Sequence, residues 1–265
     1  MAEPLLLLDN VAKRFGSREV LRGVSFEVRR GETLCVLGPS GSGKSTVLKI
    51  AIGALPPTAG RVVLDGAELT AMSERARNHA RSRFGVLFQG AALLQSLTVG
   101  ENVALPLRQH TRLPRAAVAT IVKLKLEQVG LRDAEHLLPA ELSGGMQKRA
   151  GLARALALDP DLVFYDEPSA GLDPVAVSAI DDLMNALRDR TGITSVVVTH
   201  VLASVERIAD RVVFLHEGRI LAAGSLAEIR DAPDPIVQQF LSGSIEGPLT
   251  VGQARTEFYA DLLNL

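Results

Sequence analysis

Two stretches of this chain carry most of the chemistry it could do. Residues Gly38, Pro39, Ser40, Gly41, Ser42, Gly43, Lys44, Ser45 and Thr46 read Gly-x4-Gly-Lys-Ser, after an apolar strand and at the opening of a helix. In that context the glycines let main-chain N–H groups turn inward around phosphate oxygens. Lys44 supplies a point charge to the terminal phosphates, and the Ser45 hydroxyl is placed to hold Mg²⁺. The second stretch is LVFYDE, which ends in Asp166 and Glu167. An isolated Asp-Glu pair is commonly a solvated strand end. At the end of a buried strand beside the phosphate-loop strand it reads as a metal-holding carboxylate followed by a base that orients water. His200 closes a third apolar strand, ITSVVVTH, and Gln89 closes FGVLFQ. A histidine there is structural when it stands alone, and a single glutamine says little. Strand ends on one edge of a parallel sheet would bring all of these together.

The elements needed to place them can be read from the pattern. Short strands with turns fill the first sixty residues, interrupted by a helix that starts at Lys44. Residues 70–83 are polar and Arg-rich, as a solvated helix would be. Helical periodicity dominates 91–158, with loops expected near Pro106, Pro114 and Pro139. Beyond it, apolar strands alternate with helices, and RVVFLHEGRILAAG reads as a hairpin turning at Glu217-Gly218. Near-continuous apolar strands alternating with helices imply a parallel sheet covered on both faces.

A second helix start is present at LSGGMQKR, residues 142–149, followed by the helical AGLARALAL. Ser143, Gly144 and Gly145 could also meet an anion there. Hydrophobic residues make up 47% of the 265, enough for a sizeable core. A formal net charge of −1 gives no basic excess, so no nucleic-acid partner is expected. The one cysteine, Cys35, lies in an apolar run and reads as a small buried hydrophobe. The opening MAEPLLLLDN has no basic region, and no apolar run is long enough to span a bilayer, so a cytosolic or peripheral protein is expected.

Taken together these motifs resemble those of ATP-binding-cassette (ABC) ATPases over nearly the whole chain. GPSGSGKST resembles the Walker A loop and LVFYDE the Walker B strand with its glutamate. LSGGMQ resembles the signature, SAGLD (169–173) the D-loop, Gln89 the Q-loop and His200 the switch histidine. Phe15 falls where the family places an aromatic on adenine, more often a tyrosine. The signature has Met146, with Gln147 one place later. The resemblance implies a RecA-like P-loop core with an N-terminal antiparallel β region and an inserted α-helical subdomain at about 91–158. The ATPase domain would span 1–241, with a linker and tail over 242–265. It implies ATP and Mg²⁺ as ligands, with Ser45, Gln89 and Asp166 on the metal and Glu167 and His200 as the catalytic pair. It also implies a head-to-tail dimer in which Ser143, Gly144 and Gly145 meet the γ-phosphate of the other chain's ATP.

Non-catalytic stretches narrow the branch. FGVLFQGAALLQSLTVGENVALPL and DPIVQQFLSGSIEGPL resemble the ATPases paired with lipid-binding Mce-domain proteins, in particular the phospholipid systems that maintain lipid asymmetry. That resemblance implies integral-membrane permease subunits, an Mce-domain protein and a STAS-domain protein, with the ATPase on the cytoplasmic side of the inner membrane. An importer ATPase for amino acids or another small polar solute is the alternative. A chromosome-organising ATPase would carry a long coiled coil, a translation factor a second cassette, and a P-loop kinase no LSGGM. At the far end, Phe258 and Leu262, and Tyr259 and Leu263, fall at helical spacing. Such a tail either packs on its own domain or reaches the second ATPase subunit.

Overall fold

The computed structural model describes residues 3–250, so the expected tail helix lies outside the described residues. The N-terminal strands β1 (Leu6–Phe15) and β2 (Arg18–Val28) form an antiparallel hairpin. With β4 (Ala59–Leu64) and β5 (Ala67–Glu68) they make a four-stranded sheet of order β2-β1-β4-β5. Its inner face carries Leu6, Leu8, Val11, Leu21, Val24, Val62 and Leu64, which pack over Val47, Leu48 and Ile50 of helix α1 (Lys44–Ala51).

The larger sheet contains β3 (Thr33–Leu37), β6 (Phe84–Leu87), β7 (Leu162–Asp166), β8 (Thr194–Thr199), β9 (Arg211–His216) and β10 (Arg219–Gly224). Their order is β10-β9-β3-β8-β7-β6, parallel except for β10, which returns antiparallel through the expected hairpin. Every residue of β3 and β8 is buried, the pattern of strands covered on both faces. One face meets α1 and the antiparallel sheet, and the other packs on the helices that follow β6 in the chain. The topology corrects one expectation. The strand carrying Asp166 does not neighbour β3, because β8 lies between them. Leu37 pairs with Thr199, and Asp166 with Val198, so β3, β8 and β7 still end at one level.

The Arg-rich stretch forms α2 (Glu74–Arg81), with no buried residue. Helices α3 (Val99–His110), α4 (Arg115–Gln128) and α5 (Gly144–Ala155) occupy the expected helical region. The loop expected at Pro106 is absent, since α3 runs straight through it. A proline there removes one helical hydrogen bond, to the Asn102 carbonyl, at a cost of about 3 kcal/mol. Burial of Val99, Val103, Ala104 and Leu107 on the same helix offsets that, as does the Thr98–Glu101 capping box. Pro114 and Pro139 do sit at boundaries.

The chain then forms α6 (Pro174–Thr191), α7 (Leu202–Ile208), α8 (Leu226–Arg230) and α9 (Pro235–Ser242). Of the segment read as a linker, residues 243–250 turn back along α9. Gln239 Nε2 donates to the Ser244 carbonyl at 3.1 Å, and Leu249 N–H donates to Gln239 Oε1 at 2.7 Å.

Candidate functional site

The C-terminal ends of β3, β6, β7 and β8 converge on one edge. Residues 38–43 turn from β3 into α1, and no side chain caps that helix, so its first-turn N–H groups face the loop. A side chain at Gly38 would put Cβ 2.1 Å from the Leu215 carbonyl oxygen of β9, so only glycine fits the strand exit. Lys44 is buried, and its Nζ donates to the carbonyls of Gly38 (2.7 Å) and Pro39 (2.9 Å). Burial lowers its pKa from the usual lysine value, and the carboxylates of Glu167 and Asp166 work against that shift.

Asp166 ends β7 with Oδ1 buried and without a hydrogen-bond partner. Burial, and then the Glu167 charge, raise its pKa, while Lys49, Lys148 and Lys44 pull it down. Glu167 is in the left-handed region, with φ 47°, and its N–H donates to the Val198 carbonyl at 2.9 Å. Its carboxylate meets the half-exposed His200, whose Nδ1 lies 3.0 Å from Oε1 and 2.9 Å from Oε2. The alignment favours Oε1, and Oε2 is left without a well-formed bond.

These donors fit Mg²⁺. The unpartnered Asp166 Oδ1, the Ser45 hydroxyl and the Gln89 amide are hard oxygen ligands. No cluster of three or more His, Cys, Asp or Glu suited to a metal is found among the described residues.

A cleft of about 550 Å³ gathers most of the expected groups: Phe15, Ser40, Gly41, Gly43, Lys44, Ser45, Thr46, Gln89, Glu167 and His200 line it, whereas Gly38, Pro39, Ser42 and Asp166 do not. Phe15 is 49% exposed, leaving a ring available for stacking, and Lys13 Nζ stands 5.1 Å from its centroid. Arg18 and Val20 of β2 also line the cleft, and sequence reasoning did not single them out. Ser143, Gly144 and Gly145 do not line it. They open α5 beside the D-loop, where a Cβ on Gly144 would meet Leu172 at 3.5 Å. The Ser143 hydroxyl accepts from Met146 N–H at 3.3 Å, so the helix begins at Gly144 rather than at the AGLARALAL stretch. The side-chain cap outweighs the poor helix propensity of two glycines.

Two cations on α5 were also missed. Lys148 is buried and donates to the main-chain carbonyls of Gln89 and Glu167, the latter at 3.2 Å. Arg154 donates to the carbonyls of Ala92 (2.6 Å) and Ala91 (2.7 Å). Nothing in the hydrophobic pattern marks these contacts, because their acceptors are backbone atoms.

Residues 21–170 match the ABC transporter family. The chain is 42% identical over 259 residues to the intermembrane phospholipid transport system ATP-binding protein MlaF of Escherichia coli K12, covering 98% of this chain and 96% of that one. It is 40% identical to the chloroplastic protein trigalactosyldiacylglycerol 3 of Arabidopsis thaliana, over 94% of this chain and 76% of that one. Among solved structures, a dimeric ATP-binding cassette in a post-hydrolysis state bound to ADP and Pi superposes with a TM-score of 0.77. It is 32% identical over 83% of this chain and 98% of that one. No helix among the described residues is long and apolar enough to cross a membrane.

Proposed function

This chain belongs to the ABC transporter family, and from that premise we propose that it is the ATP-hydrolysing subunit of a phospholipid transporter. The observation that carries the ATPase reading is the single cleft that joins the phosphate loop to Glu167, His200, Gln89 and Phe15. The lipid reading is supported by 42% identity across nearly the full chain to a phospholipid-system ATPase.

In this reading Phe15 stacks on adenine. The N–H groups of the phosphate loop and the Lys44 ammonium hold the polyphosphate. Ser45, Gln89 and Asp166 would hold Mg²⁺, which would supply charge neutralisation on the phosphate oxygens. Glu167 takes a proton from the attacking water, and His200, at hydrogen-bond distance from that carboxylate, fixes its orientation. The Ser143–Gly145 helix start lies outside its own cleft, which supports its use on the nucleotide of a second copy of the chain. Two helix N-termini would then flank each triphosphate. Loss of the γ-phosphate removes the ligand the two chains share, and the dimer can open.

That opening would drive integral-membrane permease subunits, with an Mce-domain protein and a STAS-domain protein in the assembly. The ATPase would sit peripherally on the cytoplasmic side of the inner membrane. The test is to extract the protein from native membranes in detergent and identify the proteins and lipids that stay bound. A permease with bound phospholipid is the expected result. A permease carrying an amino acid or other polar solute, and no lipid, would replace this reading with the importer alternative.

A further inference from the structure

Among the described residues, seven other than glycine have positive φ. Asn10, Asp65 and Asp159 are of the types that tolerate it, and Glu217 sits in the β9–β10 turn. The other three, Ala91, Ala92 and Glu167, lie in the loop after Gln89 and at the end of β7. The main-chain carbonyl of each accepts from a cation of the same helix. Arg154 holds Ala91 and Ala92, and Lys148 holds Glu167 and, through the same ammonium, Gln89. Backbone in a disfavoured conformation persists where its surroundings over-determine it, and here α5 does so.

Packing independently fixes α5 to the same loop. A Cβ at Gly151 would lie 2.9 Å from Leu87 Cδ1 and 3.1 Å from Ala91 Cβ, and one at Gly85 of β6 would lie 2.3 Å from the Ala155 carbonyl oxygen. No methyl group fits at either place, so the helix lies directly on β6 and on the turn that follows it. Ser143, the cap of that helix, is five residues before Lys148, about 7.5 Å along the axis.

We infer that Lys148 is a positioning residue: with Arg154 it lets α5 set the main-chain shape of Gln89–Ala92 and of Glu167, so that contact at the Ser143 end is felt at the base and at the metal-side amide. The inference rests on the proposed role of Glu167 as base. One ammonium bridges the backbone of both functional side chains, and neither segment has a glycine at its left-handed positions to hold the turn without help. A second chain's phosphate docking on α5 would therefore press on a rigid splint that ends at the catalytic carboxylate.

The test uses the full chain in its native permease assembly, with Lys148→Met, Lys148→Arg and Glu167→Gln measured side by side. Methionine keeps the length of the side chain and removes the donors. The expected result is MgATP affinity within about threefold of wild type, kcat lowered about tenfold or more, and recovery to within about threefold in Lys148→Arg. A Lys148→Met protein with wild-type kcat, or one whose KM rises while kcat holds, overturns the positioning role, as does a failure of Lys148→Arg to restore turnover. If Lys148→Met does not fold, Lys148→Gln takes its place, and loss of the fold in both confines Lys148 to packing and overturns the inference. Glu167→Gln separates the two layers. An active Glu167→Gln protein sinks the base assignment beneath the inference. An inactive one beside a wild-type-like Lys148→Met protein sinks the positioning role alone.

Discussion

At the scale of single residues, the site is governed by three charged groups under burial. Lys44 is held by loop carbonyls and faces Asp166 and Glu167. Replacing it with alanine removes the proposed main side-chain charge on the terminal phosphates, and ATP affinity should fall by about tenfold or more. Equilibrium binding of MgATP checks this, and near-normal affinity would count against the loop assignment. Glu167→Gln keeps the shape of the site and removes the proposed proton acceptor. Turnover should drop by about 10²-fold or more while binding persists, so the mutant accumulates with ATP bound. Hydrolysis by this variant at the wild-type rate would remove Glu167 as the base. His200→Ala loses the contact 3.0 Å from that carboxylate and should slow turnover about tenfold with little change in binding. These residues could be singled out in the sequence because each would act through its own side chain, in a motif of fixed spacing. Lys148 and Arg154 were not, because they act on carbonyls, which every residue carries.

At the scale of elements, alternation and apolar runs disclosed the strands, and the phosphate loop disclosed its helix. The order of strands was not legible. That β8 separates β3 from β7 depends on which crossover goes where, and neither strand carries a mark of its neighbour. Pro106 misled in the other direction, since a local breaker was outweighed by tertiary burial along α3. A different local conflict sits between α6 and α7. Asp181 is fully buried on α6 with both carboxylate oxygens lacking a hydrogen-bond partner, and Arg207 Nε is 3.9 Å away. Burial raises its pKa, the nearby Asp182 adds to this, and Ser204 and Arg207 oppose it. A carboxyl raised in the folded state stabilises the fold below its unfolded pKa, and that contribution is lost as pH rises through the folded value. At pH 8, well above the unfolded value, burying this carboxyl is therefore a cost. Asp181→Asn should raise the thermal midpoint there by about 2–4 °C, equivalent to about 1 kcal/mol, and the advantage should shrink as the pH is lowered. A midpoint lowered at pH 8 would show that the charge is better satisfied by Arg207 than the geometry indicates.

At the scale of the whole molecule, the proposed reading gives the two helix starts different nucleotides. Helix α1 opens into its own cleft, whereas α5 opens beside Leu172 and Ala176, outside it. In the proposed reading, the Ser143–Gly145 helix start meets the phosphate of a second chain arranged head to tail, since it lies outside its own cleft. Ser143→Arg tests this because its bulk falls on the partner's nucleotide and leaves residues 38–46 of its own chain untouched. The variant should bind MgATP with wild-type affinity to the monomer, lose cooperativity between sites, and retain about 1% or less of the ATPase rate. Mixing then adds a sharper test. In a heterodimer of Ser143→Arg with Lys44→Ala, one composite site joins an intact phosphate loop to an intact signature, and the other joins two damaged parts. An equimolar mixture should regain up to about a quarter of the wild-type rate, the limit set by half of the dimers being mixed with one good site each, and less to the extent that the two sites cooperate. Neither parent alone should show it. A Ser143→Arg chain that fails to bind ATP would instead place the signature in the site of its own chain, and the head-to-tail arrangement would be wrong.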